Sequence, residues 1–267
     1  MFLSAIYRYP LKSGQAEALD ASSVGALGLT GDRRWMVVRE DNGQFLTQRA
    51  WPQMTRIGAL HQHDGSLILQ APGMGALHVA VPGDDAPLRG VTLWRDLLQV
   101  PDAGEAAAAW LSALLGKALR LVHCPAQRAR FLPSGYGSVD DRAAFPDGFP
   151  LLLIGQASLD ELNRRIGRPM AMLRFRPNLV VEGAKAFAED TWTRIRIGDT
   201  TLRVLKPSVR CILVTLDPAS GARSPDKEPL TTLKTFRSHD GNVLFGQNLA
   251  ADGEGVVARG MSVEVLG

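Results

Sequence analysis

Glycine and proline residues divide this chain into short segments that are either apolar or alternate between apolar and polar residues. This division limits the folds that the chain can adopt. The 267 residues include 27 glycines and 16 prolines, and most of the apolar runs between them have the length of one strand. Many short strands separated by turn signals are typical of a barrel-like β architecture. We therefore predict a β-rich α+β fold that carries a few short helices.

Two segments depart from the strand pattern and predict helices. Residues 103–116 combine alanines with an apolar face, and Gly116 suits the end of that helix. Residues 158–166 begin with Ser158 and Glu161, whose spacing is that of a capping box. Both predicted helices are short, so we expect them to be minor additions to a fold that consists mainly of strands.

The chain is predicted to contain two domains, residues 1–118 and residues 119–267. The boundary follows the first predicted helix, where the strand-like segment 119–123 begins. Residues 125–148 are rich in Pro, Gly, Ser and Asp and predict a long loop. Loops of this length without regular structure are often functional or mobile.

Composition excludes several classes of protein. The formal net charge of +3 is too small to demand nucleic acid as a partner. Two cysteines without a C-x-x-C pair exclude a disulfide scaffold, a zinc ribbon and a self-contained iron–sulfur site. The apolar runs are too short to span a membrane, and the N-terminus lacks the pattern of a signal peptide. We expect a cytoplasmic protein, or one in another reducing compartment.

Cys211 has the most informative surroundings of any single residue. It follows a proline-bearing segment that includes Lys206 and Arg210, and it opens a predicted strand at 211–216. Nearby cations favour the thiolate, which ligates soft metals or attacks electrophiles. An inert buried cysteine is the alternative interpretation, and it is the one we apply to Cys124.

Cationic side chains form further candidate sites. In a predicted strand at 175–181, Arg174, Arg176 and Asn178 would point to one face, which suits a phosphate or a polar heterocycle. A solvated polar face is the alternative for this cluster.

Two shorter segments and one helix start add to these sites. Lys12 and Arg33 each lie where a predicted strand meets a turn, and either one alone is ordinary surface charge. Ser158 offers a helix N-terminus, a ready anion site, although a plain capping role is the simpler interpretation.

These clusters lie in segments that resemble the MOSC family, named for the C-terminal domain of molybdenum-cofactor sulfurase. The resemblance is closer to the mitochondrial amidoxime-reducing components and their bacterial relatives. The matching segments are Tyr-Pro-Leu-Lys-Ser (9–13), Gly-Asp-Arg-Arg-Trp-Met-Val-Val (31–38), Leu-Thr-Gln-Arg (46–49), Gln-Ala-Ser-Leu-Asp-Glu-Leu-Asn (156–163), Phe-Arg-Pro-Asn-Leu-Val-Val (175–181), Ala-Glu-Asp-Thr-Trp (188–192), Arg-Cys-Ile-Leu-Val-Thr-Leu-Asp-Pro (210–218), Lys-Glu-Pro-Leu-Thr-Thr-Leu-Lys (227–234) and Leu-Phe-Gly-Gln-Asn (244–248). Their order and spacing cover nearly the whole chain.

The resemblance implies a MOSC β-barrel preceded by an N-terminal β-barrel domain. It also implies a molybdenum cofactor, a pterin with a dithiolene and a phosphate, with Cys211 as the catalytic thiolate ligand to the metal. The positions that match the family's cofactor-holding residues are Lys12, Ser13, Arg33, Ser158, Arg176, Asn178 and, beside the ligand, Arg210. Val209 stands where relatives carry a serine. The same resemblance associates the family with pyridoxal-phosphate binding.

The activity implied by the resemblance is the reduction of N-hydroxylated compounds such as amidoximes and hydroxylaminopurines. Some bacterial relatives end in a plant-type ferredoxin domain, whereas this sequence ends at Gly267 without spare cysteines. We therefore expect a separate electron donor of the ferredoxin or flavin-reductase type.

Two other functions stay open at this point. The first is a protein that carries or delivers the cofactor or its sulfur without turnover, since the same residues would hold the cofactor. The second is a cysteine nucleophile in acyl transfer, although no histidine near Cys211 in sequence suggests a base.

Overall fold

The computed structural model of the protein describes residues 1–133, 135–138 and 141–267. The chain folds into a strand-rich α+β structure, which confirms the class predicted from the sequence. Within the predicted loop at 125–148, the described residues form one 3-10 turn and two short strands. Ser134, Val139 and Asp140 of that loop lie outside the described residues.

Most of the strands and helices are short, as the frequent glycines and prolines predict. The strands are β1 (Phe2–Arg8), β2 (Glu17–Leu19), β3 (Ala21–Gly25), β4 (Gly28–Leu29), β5 (Trp35–Arg39), β6 (Gly58–His61), β7 (Leu67–Gln70), β8 (Leu77–Val79), β9 (Leu88–Leu93), β10 (Asp96–Pro101), β11 (Leu119–His123), β12 (Arg130–Phe131), β13 (Arg142–Ala143), β14 (Leu151–Gly155), β15 (Leu179–Glu182), β16 (Arg194–Ile197), β17 (Thr200–Arg210), β18 (Ser238–His239), β19 (Asn242–Ala251), β20 (Gly255–Ala258) and β21 (Val263–Val265). The α-helices are α1 (Glu105–Leu115), α2 (Gln156–Ile166) and α3 (Leu230–Phe236). Short 3-10 segments lie at Pro52–Arg56, Ala126–Arg128, Met172–Phe175, Ala188–Thr191 and Ile212–Thr215.

The largest sheet runs in the order β2-β1-β15-β14-β19-β17-β16-β21, with β18 beside β19. Strands β14 and β15 pair in parallel, and the other neighbours pair antiparallel. The C-terminal end of the chain lies beside β1, because the Leu3 amide donates to the Met261 carbonyl at 2.9 Å and the Val263 amide donates to the Met1 carbonyl at 3.0 Å. The sheet packs on an apolar core that includes Leu3, and the described strands do not pair into a closed barrel.

The N-terminal part of the chain is built from smaller sheets that pack with α1. The α1 helix confirms the prediction at 103–116, and Gly116 ends it in the left-handed conformation with φ 69°. Trp110 and Leu111 of this helix pack into the same apolar cluster as Trp35. Strand β11 pairs with β5 across the predicted domain boundary, and the boundary itself stays a prediction.

The predicted strand at 175–181 is wrong at its beginning. Residues Met172–Phe175 form a 3-10 turn, Arg176 is left-handed with φ 54°, and the strand starts only at Leu179. Pro177 agrees with the later start, because proline has no N–H to donate to a sheet. Arg174, Arg176 and Asn178 therefore do not share one strand face.

The predicted capping box at Ser158 is also wrong. Helix α2 begins at Gln156 with Gly155 as its N-cap, so Ser158 lies inside the first turn. The Ser158 hydroxyl is fully buried and donates to the Glu189 carboxylate at 2.7 Å. A partner distant in sequence therefore takes the hydroxyl that local spacing assigned to the helix end.

The segment at 211–216, predicted as a strand, is a 3-10 turn. Residues Ile212–Thr215 form this turn, and the Thr215 hydroxyl donates to the Ile212 carbonyl at 2.7 Å. Cys211 thus lies at the point where β17 ends rather than at the start of a new strand. No helix in the described part of the chain combines the length and the apolar character that crossing a bilayer requires.

Two buried or half-buried histidines predict a pH-dependent stability. Burial lowers the pKa of both His61 and His123 from 6.5 to about 4, and the ring of His123 packs at a tilt against Trp35 with ring centres 4.6 Å apart. Between these pH values the unfolded chain binds more protons than the folded one, so the free energy of unfolding falls as the pH drops from 6.5 towards 4.

Urea denaturation at several pH values in this window measures the effect. The wild-type protein and His123→Gln are compared, and we expect the variant to lose less stability on acidification. An equal loss in the two proteins would contradict the assignment to His123.

Candidate functional site

A cavity of about 170 Å³ lies between residues from both halves of the chain. It brings together all the site residues predicted from the sequence except Ser158, which is buried against Glu189. The predicted residues in its wall are Lys12, Ser13, Arg33, Arg176, Asn178, Arg210 and Cys211. Residues that precede β5 thus meet residues before β15 and at the end of β17, although more than 140 positions separate the first group from the other two.

Cys211 reaches this wall because β17 ends at Arg210. The Cys211 backbone is extended, with φ −128°, and the chain then turns into the 3-10 segment. The side chain is a free, half-buried thiol. Cys124, by contrast, is fully buried in an apolar cluster, and burial raises the pKa of its thiol to about 11. The thiol of Cys211 is therefore accessible for chemistry at the cavity wall, whereas the thiol of Cys124 is enclosed in an apolar cluster.

Arg210 is a cation fixed beside Cys211. Its Nε donates to the Phe245 carbonyl at 2.7 Å, and its Nη1 donates to the Phe175 carbonyl at 3.0 Å. Burial lowers the pKa of Arg210 to about 9, partly offset by the neighbouring Cys211. Arg210 therefore stays charged at neutral pH and holds the backbone around the thiol in place.

Tyr9 separates two of the predicted cofactor-holding arginines. Its ring centre lies 4.6 Å from the guanidinium carbon of Arg33 and 4.1 Å from that of Arg176. The Tyr9 hydroxyl donates to the Pro177 carbonyl at 3.0 Å, and burial raises its pKa. An aromatic ring in contact with two cations fixes their spacing. Sequence analysis placed Tyr9 in a matching segment without giving it a role.

Three cavity residues adopt the left-handed backbone conformation that L-residues rarely use. Their φ angles are 65° for Ser13, 46° for Arg33 and 54° for Arg176. Strain of this kind persists only where surrounding contacts enforce it, and it concentrates at functional sites. The contacts of the two arginines with Tyr9 are part of that enforcement.

Asn178 links the strands to Arg33. Its Oδ1 accepts from Arg33 Nη1 at 3.1 Å and from the Leu152 amide at 3.2 Å, while its Nδ2 donates to the Tyr7 carbonyl at 3.1 Å. Arg33 Nη1 also donates to Asp32 Oδ2 at 2.5 Å. The Asn178 side chain is thus held by the backbone of Leu152 and Tyr7 and in turn positions Arg33.

Lys12 has a partner that sequence analysis missed. Its Nζ donates to the Phe145 carbonyl at 2.7 Å and to Asp147 Oδ1 at 2.5 Å. Burial lowers the pKa of Lys12, and Asp147 offsets part of this effect. The Asp147 side chain is 61% exposed and accepts from Trp94 Nε1 at 3.2 Å. The predicted functional loop at 125–148 was the only signal for Asp147.

The chemistry of the wall restricts what can bind. Among the described residues, five cations line the cavity, Lys12, Arg33, Arg174, Arg176 and Arg210, and Arg176 Nη2 is buried there without a hydrogen-bond partner. In the described part of the chain, no group of three or more His, Cys, Asp or Glu residues could hold a metal ion. A metal at Cys211 would therefore need most of its ligands from an anionic molecule that the cations hold.

Comparisons with known proteins agree with this architecture. Residues 1–118 match the MOSC N-terminal beta barrel domain, and residues 140–264 match the MOSC domain. The fold and the site thus define a MOSC protein, as the resemblance predicted.

Individual relatives narrow this class to one family. Mitochondrial amidoxime reducing component 2 of Bos taurus is 36% identical, over 89% of this chain and 73% of the relative. Component 1 of Xenopus laevis is 33% identical over 97% of this chain and 80% of the relative, and component 1 of Homo sapiens is 30% identical over 99% and 83%. The chain belongs to the amidoxime-reducing component family.

Proposed function

We propose that this protein is a molybdenum-cofactor oxidoreductase that reduces N-hydroxylated compounds, such as amidoximes and hydroxylaminopurines. The names of the relatives support the reaction class. The observation that carries the proposal for this chain is the position of Cys211, a free thiol in the wall of a cavity that also contains Lys12, Arg33, Arg176 and Arg210.

The residues present fit a molybdenum cofactor. A thiolate is a suitable ligand for a soft, redox-active metal, and Cys211 would provide it. Lys12 and Arg176 would hold the phosphate and the pterin, as cations in the wall of this cavity. When bound, the cofactor supplies the two-electron chemistry.

The chain's own residues position this site. Arg210 fixes the backbone beside Cys211 through two carbonyls, and Asn178 orients Arg33, so both act through their neighbours. The wall of the cavity also includes the Asp147 carboxylate and Val209, a residue that is 49% exposed. Relatives carry a serine at the position of Val209, beside Arg210. Valine has no hydroxyl, so the substrate would contact an apolar surface at this position.

The reaction fixes what else must be supplied. Conversion of an N–OH group to N–H with release of water consumes two electrons and two protons. We propose that the electrons come from a separate protein of the ferredoxin or flavin-reductase type. The two free thiols agree with a reducing compartment such as the cytoplasm.

The direct test is metal content together with turnover. The full chain is purified from a host that makes the cofactor and from one that cannot, and molybdenum is measured by elemental analysis. Reduction of benzamidoxime by reduced methyl viologen is then followed. We expect stoichiometric molybdenum and formation of benzamidine only in the first preparation. Molybdenum without turnover would reject the reductase in favour of a cofactor carrier.

Tyr9 provides a test of how the cofactor is held. Tyr9→Leu removes the ring that spaces Arg33 and Arg176, so we expect a severalfold loss of molybdenum per protein. Tyr9→Phe keeps the ring and loses the hydrogen bond to Pro177, which costs about 1 kcal/mol of stability. Elemental analysis and thermal melting of both variants measure these effects. Equal molybdenum content in the two variants would argue against the spacing role.

A further inference from the structure

A second cavity, of about 230 Å³, adjoins the first one at the junction of the N-terminal and C-terminal parts. Its wall includes Gly14 and Gln48 from the first part and Leu216 and Pro218 from the second. Cys211 and Lys12 line only the first cavity. The proposed reductase therefore makes no use of most of this space.

Two arginines in the common wall have unsatisfied donors. Arg174 and Arg176 line both cavities, and within the described part of the chain Arg174 Nε and Arg176 Nη2 are buried without a hydrogen-bond partner. A buried donor without a partner is unfavourable, and more so when it is charged. Each of these atoms is thus a site where a ligand acceptor would be stabilising.

Other contacts of the two side chains place them at the second cavity. Arg176 Nη1 donates to the carbonyl of Gly14, a residue of the second cavity alone, at 2.8 Å. Arg174 Nη2 donates to Asp217 Oδ2 at 3.3 Å, directly before Pro218. Both guanidinium groups are therefore anchored by residues in or next to the wall of the second cavity.

The charge balance of this wall favours an anion. Burial lowers the pKa of Arg176 to about 10 and also lowers that of Arg174, so Arg176 keeps its charge at neutral pH. Asp217 pairs with Arg174, Asp226 also interacts electrostatically with Arg174, and Asp32 and Asp147 interact with Arg176. Among the described residues, the wall of the second cavity itself contains the two guanidinium groups and no carboxylate.

The rest of the cavity is suited to an apolar body. Leu213, Leu216 and Pro218 line it together with the Tyr9 ring. Its volume of about 230 Å³ exceeds the roughly 150 Å³ that accommodates a benzene molecule in an apolar cavity. Gln15 and Ala219 in its wall are exposed, so a ligand can enter from solvent.

We propose that the second cavity is a separate binding site for a small organic carboxylate with an aromatic or aliphatic body. The carboxylate accepts hydrogen bonds from Arg174 Nε and Arg176 Nη2. The body packs against Leu213, Leu216 and the ring of Tyr9.

Benzoate and its neutral analogue benzamide test this site in the full chain. Isothermal titration at pH 7 is expected to show benzoate binding at least tenfold more tightly than benzamide, with the molybdenum content unchanged. Arg174→Met is expected to weaken benzoate binding about tenfold, which is about 1.4 kcal/mol. Arg168→Met is the matched control, because Arg168 is exposed and pairs with Asp226 outside the cavity, and it should bind benzoate like the wild type.

Three outcomes would overturn the proposal: equal binding of benzoate and benzamide, no effect of Arg174→Met, or release of molybdenum when benzoate is added. If Arg174→Met does not fold, the comparison of the two ligands in the wild-type protein still decides. A crystal structure with benzoate adds a second readout, and benzoate in the cavity of Cys211 would reject the separate site.

Discussion

Cys211→Ser is expected to leave a folded protein whose reduction of N-hydroxylated compounds falls to the level of the cofactor-free protein. Serine has nearly the shape of cysteine, and Cys211 is half-buried at a cavity wall, so little packing is lost. A hydroxyl is a poor ligand for a soft metal. The change therefore removes the proposed metal ligand and preserves the fold.

Turnover with an artificial electron donor, molybdenum content and thermal melting measure this effect together. Cys124→Ala is the matched control, because Cys124 is the other thiol and lies in an apolar cluster away from the cavity. We expect this control to keep its turnover. Normal reduction rates in Cys211→Ser would refute the ligand role.

Arg33→Leu is expected to cost about 3–5 kcal/mol of folding stability, because it leaves a buried carboxylate without its counter-ion. The Asp32 side chain is 1% exposed and that of Arg33 is 12% exposed. Asp32 Oδ1 also accepts from the Tyr9 amide at 2.8 Å, so the carboxylate cannot turn to solvent without breaking that contact. Loss of Arg33 also removes one cation from the cavity.

Urea denaturation of three proteins separates the buried charge from other effects. The wild type is compared with Arg33→Leu and with the double variant Asp32→Asn/Arg33→Leu. Asparagine keeps an acceptor for the Tyr9 amide without the charge, so the double variant should be more stable than the single one. A loss below about 1 kcal/mol in the single variant, the size expected for an exposed pair, would contradict the prediction.

Tertiary contacts give several site residues partners that local spacing does not reveal. Asn178, which is predicted to hold the cofactor, accepts a hydrogen bond from Arg33, which lies 145 positions away. Ser158 was expected at a helix end, and Glu189, 31 positions away, binds its hydroxyl. Sequence periodicity describes neighbours within a few residues, so it cannot reveal partners at these separations.

Local patterns were sufficient for the elements whose geometry depends on nearby residues. Helix α1 with Gly116 at its end and the strand-rich class both follow from turn residues and short-range apolar spacing. The residue types of the site, one thiol and several cations, were equally visible in the sequence. The left-handed backbone of Arg176, the Asp147 partner of Lys12 and the second cavity arise only when distant segments pack, because their energies depend on burial and on charges brought together by the fold.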